Sequence, residues 1–142
     1  MNIRNVTIEW TYPKQIDKVF DDERINNIGI YCIYRVYGTT ETLLYIGKTF
    51  NSFKSRLKMH NESWINDYRG EKYVRLGNII SPQNYHDVLL TDVESALIYE
   101  KNPKPIHNTD KINGYRYTYD LNIYNIGYRG QLPKLISNRN QI

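Results

Sequence analysis

The side chains of this chain that are best able to do chemistry are two tyrosines, an arginine, a histidine and a glutamate: Tyr31, Tyr45, Arg56, His60 and Glu94. A glutamate carboxylate is a hard oxygen ligand of the kind that Mg²⁺ or Mn²⁺ prefers. An arginine guanidinium can hold a phosphate through two parallel hydrogen bonds. A tyrosine, whose ordinary pKa is about 10, could take a proton from water only if nearby cations favour its phenolate. Together such groups could hydrolyse a phosphodiester.

The two tyrosines belong to a segment with the pattern of a β-hairpin. A Gly-Ile-Tyr tripeptide ends at Tyr31, a Tyr-Ile-Gly tripeptide begins at Tyr45, and two apolar runs with a Gly-containing loop lie between them. Paired strands lie about 4.8 Å apart, so the tripeptides are expected to meet. Because alternate residues share a face, Tyr31 should lie with Gly29, and Tyr45 with Gly47 and Leu43. The two glycines would leave backbone bare for a substrate.

A helix is expected directly after this hairpin. Several N-cap candidates precede Phe53, and Phe53 and Leu57 recur at helical spacing. Arg56 and His60 are four residues apart and therefore share one face of the helix. The alternative interpretation of this face is a basic surface that is exposed to solvent and has no role in a site. Because the helix follows the second strand at once, its first turns should lie near the tyrosines. Lys48 and His60 are the candidate cations for a phenolate.

These features resemble the GIY-YIG nuclease family, which takes its name from the two tripeptides, and the resemblance covers residues 28–109. It implies that Tyr31 is the general base and that Tyr45 positions water or phosphate, or shares the proton network. Arg56 and His60 match the R-x-x-x-H pattern of the family's first helix. A tyrosine acting as a covalent nucleophile is a chemical alternative, but a metal-binding glutamate favours attack by water.

Glu94 has two interpretations. Residues 91–101 are predicted to form a helix, and Thr91-x-x-Glu94 has the form of a capping box, in which Glu94 only closes the helix N-terminus. The resemblance instead makes Glu94 the ligand of Mg²⁺ or Mn²⁺, because E-x-x-L-I is followed by prolines and by Asn108. Asn108 is then an active-site residue, with an ordinary turn asparagine as the alternative.

The fold class is expected to be α/β (α+β), with a small antiparallel or mixed sheet built on the hairpin and helices flanking it. Residues 1–142 would form one domain, with a core at 28–109, an N-terminal extension at 1–27 and a C-terminal β extension at 113–142. Further strands are predicted at residues 6–10, 73–76, 88–90 and 115–123, a helical turn at 14–20, and loop positions at Gly77, Pro82 and Asn84.

The composition of the chain limits its possible partners and cellular environment, but it does not define the function. The net charge of +4, from 19 basic and 15 acidic residues, is compatible with nucleic acid but does not diagnose it. Cys32 is the single cysteine, which excludes an intramolecular disulfide and fits a reducing, cytoplasmic setting, as for a protein encoded by a phage or mobile element. No apolar run approaches the length of a membrane span. Asp21, Asp22 and Glu23 form either a solvated loop or, less simply, a three-carboxylate metal cluster.

The expected function is therefore that of a divalent-metal-dependent DNA endonuclease, acting as a monomer or as a transient dimer on DNA. The alternative is a non-catalytic nucleic-acid-binding module with the same fold, although every type of site residue in the family is present here. DNA contacts are expected from Lys48, Lys54, Arg56, Lys58 and Asn108. Substrate choice is expected in the two extensions. Flaps, nicks, hairpins and palindromic sites all remain open as substrates.

Overall fold

A computed structural model describes residues 3–100, 104–108 and 115–139. The strands are β1 (Ile3–Trp10), β2 (Lys14–Gln15), β3 (Gly29–Tyr37), β4 (Thr40–Thr49), β5 (Glu71–Ser81), β6 (Asp120–Gly127) and β7 (Leu135–Ser137). The helices are α1 (Phe53–Ser63) and α2 (Asp87–Tyr99), with 3₁₀ turns at Val19–Asp21 and Ile65–Asp67. The end of the second helix predicted at Lys101 lies outside the described residues.

The strands form one mixed sheet in the order β4-β3-β5-β1-β6-β7, with β2 paired to β5. All pairs are antiparallel except β1 and β6, which run parallel from Ile3 opposite Asp120 to Trp10 opposite Gly127. This architecture confirms the predicted α/β fold class. Both predicted extensions supply strands to the same sheet as the hairpin, because β1 comes from the first and β6 and β7 come from the second.

The two helices pack on clusters from opposite faces of the sheet. On one face, Phe53 and Leu57 of α1 join a buried cluster that includes Tyr31. On the other face, α2 buries Leu90 and Leu97 in a second cluster. Burial of each such leucine or phenylalanine stabilises the fold by about 1.5–3 kcal/mol. The sheet is therefore covered on both sides near β3 and β4, which are the strands that carry the tyrosines.

A β-bulge changes the direction of Tyr45. Ile33 lies opposite Tyr45 and Tyr34 lies opposite Leu43, so β4 contains one extra residue, Leu44, at this point. Leu44 and Tyr45 both pack with the α1 cluster, whereas Leu43 packs with the α2 cluster. The expectation that Tyr45 shares a face with Leu43 is therefore wrong, because a bulge interrupts the alternation of side chains.

The start of α2 corrects two expectations at once. Residues 88–90, predicted as a strand, form its first turn, and the N-cap is His86 rather than Thr91. A short apolar run fits a buried helix as well as a strand, and Leu89 and Leu90 are indeed buried against the sheet. Because Thr91 lies inside the helix, the capping-box interpretation of Glu94 is wrong.

Three smaller expectations also change. Residues 14–20 form β2 and the start of a 3₁₀ turn, and Gly77 lies inside β5, where a side chain would overlap the Trp10 ring. The tail strand begins at Asp120 rather than at Tyr115. The stretch before it is tied to α2, because the buried Asp92 carboxylate accepts hydrogen bonds from the Thr118 and Tyr119 amides and the Tyr115 hydroxyl.

The acidic stretch at residues 21–23 is structural at its centre. Asp22 is buried and forms ion pairs with Lys14 at 3.0 Å and Arg24 at 3.0 Å. Burial acts to raise the pKa of Asp22, but the hydrogen bonds from Arg24 and Lys14 outweigh it and hold the pKa far below the usual range. Asp22 therefore lies in neither a solvated loop nor a carboxylate cluster.

Among the described residues, no helix has both the length and the apolar character of a membrane span.

Candidate active site

The hairpin brings the two tyrosines together over a glycine. Tyr31 lies opposite Gly47, and the ring centroids of Tyr31 and Tyr45 are 6.2 Å apart. A Cβ atom at Gly47 would overlap the Tyr31 ring and crowd the Tyr45 ring. The bare backbone expected to receive a substrate is therefore occupied by Tyr31 itself. Gly47 is needed because only a residue without a side chain lets the two rings share this space.

Local interactions of α1 place Arg56 and His60 against these tyrosines. The Ser52 hydroxyl caps the helix by accepting from the Ser55 amide at 3.1 Å. The amide of Phe53 donates to the Asn27 carbonyl, which anchors the first turn to the preceding loop. Phe53 and His60 are buried and Arg56 is half-buried. The predicted shared face of Arg56 and His60 is therefore the face that meets the sheet.

His60 lies between a tyrosine and a tryptophan. Its Nε2 atom is 2.8 Å from the Tyr31 hydroxyl, and its Nδ1 atom is 2.8 Å from the indole nitrogen of Trp64. Burial, followed by the charge of Arg56 and the proximity of His107, lowers the pKa of His60 to about 4. His60 is therefore neutral near pH 7, and it does not supply the positive charge that was expected of it.

Tyr31 experiences opposing influences. Its side chain is fully buried, and this burial raises its pKa, with a further increase from the neighbouring Tyr45. Hydrogen bonding and charge from the Arg56 guanidinium act in the opposite direction and favour the phenolate. The two tyrosines in turn raise the pKa of Arg56 in spite of its partial burial. Arg56 thus places a positive charge directly beside the two tyrosines.

A polar cleft of about 510 Å³ opens beside Tyr45 and Arg56. Residues from β4, α1, α2 and the β4–α1 connection line it: Tyr45, Lys48, Thr49, Phe50, Asn51, Arg56, Asp87 and Glu94. The cleft therefore unites four of the predicted site residues, while Tyr31 and His60 pack directly behind Tyr45. Lys54 and Lys58 are exposed on α1 and are not among the lining residues.

Asn108 holds the second tyrosine strand by its backbone. Its side-chain oxygen accepts from the Ile46 amide at 2.8 Å, and its side-chain nitrogen donates to the Ile46 carbonyl at 2.9 Å. The neighbouring His107 amide donates to the Leu44 carbonyl at 2.7 Å. Asn108 therefore completes the edge of β4 in the way that another strand would, at the residue between Tyr45 and Gly47.

Two residues of the site were not singled out from the sequence. The sequence pattern alone gives Trp64 no role at the site, although its position four residues after His60 is the signal that places both on one face. Asp87 lines the cleft, and its carboxylate lies 3.9 Å from the Lys48 ammonium, but the sequence does not point to it because the adjacent residues 88–90 are predicted as a strand. Both assignments require knowledge of how α1 and α2 pack.

The donor set of the cleft suits a hard divalent cation. The described residues contain no group of three or more His, Cys, Asp or Glu side chains arranged to hold a metal ion. Mg²⁺ nonetheless retains several waters and is commonly bound by one or two carboxylates together with substrate phosphate oxygens. Glu94, on the wall of a polar and open cleft, fits that requirement for Mg²⁺ or Mn²⁺.

The family-level comparison agrees with this geometry. The chain matches the model of the GIY-YIG catalytic domain over residues 30–113, which is more than half of its length. The chain therefore belongs to the GIY-YIG nuclease family, whose members are nucleases that act on DNA and generally depend on a divalent metal. No curated protein and no solved structure matches the chain.

Proposed function

We propose that this protein is a divalent-metal-dependent DNA endonuclease that hydrolyses phosphodiester bonds at the cleft beside Tyr45. The observation that supports it best is the convergence of Tyr45, Arg56 and Glu94 on one polar cleft, with Tyr31 held behind them. Family membership adds the reaction class, and the cleft supplies a phosphate-binding cation and a carboxylate in one place.

Tyr31 is the proposed general base. Its oxygen lies within hydrogen-bonding distance of His60 and next to the Arg56 guanidinium, and both groups can stabilise a phenolate. The phenolate is the reactive form. At any pH below the pKa of Tyr31, the fraction of phenolate rises about tenfold for each unit by which the pH increases. Tyr45 lines the cleft and is the proposed residue for orienting the attacking water or the phosphate.

Access to Tyr31 requires a side-chain movement. The Tyr31 hydroxyl is buried, and the half-buried Arg56 side chain contacts both tyrosines from the cleft wall. A phosphate that enters the cleft attracts the Arg56 guanidinium toward itself, since a bidentate phosphate contact is stronger than a contact with a neutral phenol. We infer that this movement exposes Tyr31 and places Arg56 where charge develops in the transition state.

Glu94 is the proposed metal ligand, and a bound Mg²⁺ or Mn²⁺ supplies Lewis acidity at the phosphate. The chain's own contributions are then distinct. Lys48 and Arg56 attract the phosphate, Tyr45 orients water, and Tyr31 accepts a proton. Lys54 and Lys58 extend the positive surface along α1 and are proposed to contact backbone phosphates outside the cleft.

DNA recognition beyond the phosphates is proposed to come from the two extensions. Exposed aromatic side chains there include Tyr12 and Tyr128, which make an edge-to-face contact with ring centroids 5.1 Å apart, and Tyr124. Exposed tyrosines can stack on unpaired bases. One cleft cuts one strand per binding event, so cleavage of both strands requires a dimer on the DNA or a second encounter.

One observation favours the alternative of a DNA-binding module without catalysis, namely the complete burial of Tyr31. Incubation of supercoiled plasmid with the protein and Mg²⁺ separates the two. We expect nicked or linear product that disappears with EDTA and with Glu94→Ala, while Glu62→Ala, on the exposed side of α1, cleaves normally. Cleavage that persists in Glu94→Ala would remove the metal assignment, and absence of cleavage by the unmodified protein would favour the alternative.

A further inference from the structure

We propose that the Trp64 indole fixes the tautomer of His60, so that His60 donates a hydrogen bond to Tyr31 and supports its phenolate instead of accepting its proton. This inference rests on the proposed role of Tyr31 as the base. It adds Trp64 as a positioning residue that acts on Tyr31 through His60.

The argument begins with the donors that each ring possesses. The indole nitrogen of Trp64 carries a hydrogen and can only donate, so the Nδ1 atom of His60, 2.8 Å away, must accept. A neutral imidazole has one N–H group, which therefore lies on Nε2. That atom is 2.8 Å from the Tyr31 hydroxyl oxygen, so the N–H of His60 donates to that oxygen. A protonated His60 would set two N–H donors against each other at Nδ1.

The tautomer determines which form of Tyr31 His60 stabilises. With the proton on Nε2, the hydrogen bond points at the phenol oxygen and strengthens when that oxygen becomes negative. With the proton on Nδ1, the Nε2 atom would accept the tyrosine proton in a hydrogen bond and stabilise the neutral phenol. Trp64 thus selects the tautomer that favours a phenolate. Arg56 is then the second group that donates a hydrogen bond to the Tyr31 oxygen and favours its phenolate.

The orientation of Trp64 is itself fixed by its surroundings. Its indole stacks on the His107 ring with centroids 3.8 Å apart and planes inclined by 14°. Tyr68 makes an edge contact with the indole, and the Tyr68 hydroxyl lies 3.0 Å from Nδ1 of His107. The side chain is largely buried. An indole held in this way presents its N–H to His60 in one direction only.

The substitution that isolates this hydrogen bond is Trp64→Phe, which retains an aromatic ring and removes the N–H group. Trp10→Phe is the matched control, because Trp10 is also buried and its indole donates to the Asn125 side chain at 3.0 Å, away from the cleft. A second variant replaces Trp64 with 3-benzothienylalanine, which keeps the bicyclic shape and lacks the N–H. This second variant tests the same hydrogen bond if the phenylalanine variant does not fold.

Two measurements are made on these proteins. Nitrogen-15 NMR of the histidine rings, without DNA or metal, reports which imidazole nitrogen carries the proton. We expect protonated Nε2 in the unmodified protein and in Trp10→Phe, and a shift toward protonated Nδ1 in the Trp64 variants. In single-turnover cleavage with Mg²⁺, the Trp64 variants should be about 10- to 100-fold slower, the size of one hydrogen bond to a charged group, with unchanged DNA affinity.

The outcomes separate this inference from the proposed function. Protonated Nε2 retained in both Trp64 variants would overturn it, as would a changed tautomer with an unchanged cleavage rate. If the unmodified protein does not cleave DNA, the proposed function fails and the part of the inference that concerns catalysis fails with it. The NMR result still decides whether Trp64 sets the tautomer.

Discussion

The side chain of Asn108 and the backbone of Ile46 form a two-way hydrogen-bonded pair, with the Ile46 amide donating at 2.8 Å and its carbonyl accepting at 2.9 Å. This pair fixes the strand at the residue that separates Tyr45 from Gly47. Asn108 is largely buried, and both polar ends of its side chain are engaged. Its role at the site is therefore proposed to be the placement of Tyr45.

We predict that Asn108→Ala destabilises the protein by about 2–4 kcal/mol, because two buried backbone groups lose their partner. Thermal or urea unfolding measures the change. Asn122→Ala is the control, since the contact of the Asn122 side chain with Asn5 is long, at 3.5 Å, and exposed. A loss of DNA affinity in Asn108→Ala without any loss of stability would instead assign Asn108 to direct DNA contact.

His60 gives the stability a pH dependence. Its pKa is about 4 in the folded protein and about 6.5 when unfolded, so the unfolded state binds more protons between these values. The contribution of His60 to the free energy of unfolding is complete above about pH 6.5 and is lost as the pH falls to about 4. The titratable and charged groups that face His60 are Tyr31, Tyr45, Arg56 and His107.

We expect the free energy of unfolding to fall by up to about 3 kcal/mol from this source between pH 6.5 and 4. Urea unfolding at a series of pH values in this interval measures it. His60→Gln, which does not titrate there, should show a flatter dependence. Identical slopes in the two proteins would show that His60 is not the group responsible.

The basic face of α1 is expected to contribute to binding rather than to chemistry. Lys54→Ala and Lys58→Ala should each weaken DNA binding and reduce the slope of log affinity against log salt by about 0.9. The single-turnover rate at saturating protein should stay unchanged. Lys18→Ala, an exposed lysine outside this helix, is the control. A slower saturated rate in either α1 variant would place that lysine in the reaction itself.

The parts of the fold that depend on local spacing could be predicted. The hairpin, the position of α1 and the shared face of Arg56 and His60 follow from strand alternation and helical periodicity. The start of α2 could not be predicted, since residues 88–90 fit a strand and a buried helix equally well. The bulge at Leu44 was also missed, because nothing in the sequence marks where a strand takes one extra residue.

The parts of the site that depend on tertiary packing needed the structure. The contact between Trp64 and His60 requires the orientation that His107 and Tyr68 impose. The C-terminal extension, in which substrate choice is expected, is also part of the core, because β6 and β7 bury Leu121, Ile123 and Ile136 there. A chain ending at residue 113 would lose that buried surface, so recognition by the extension is better tested at exposed side chains such as Tyr128.

The central claim is that Tyr31 is the base at a cleft that Arg56 and Tyr45 complete. Its most direct test is the single-turnover cleavage rate of Tyr31→Phe at saturating protein with Mg²⁺, measured together with DNA affinity and beside Tyr45→Phe. We predict a rate lower by about 10²- to 10⁴-fold in Tyr31→Phe, a smaller loss in Tyr45→Phe and unchanged affinity in both. A normal rate in Tyr31→Phe, or a greater loss in Tyr45→Phe, would contradict the assignment.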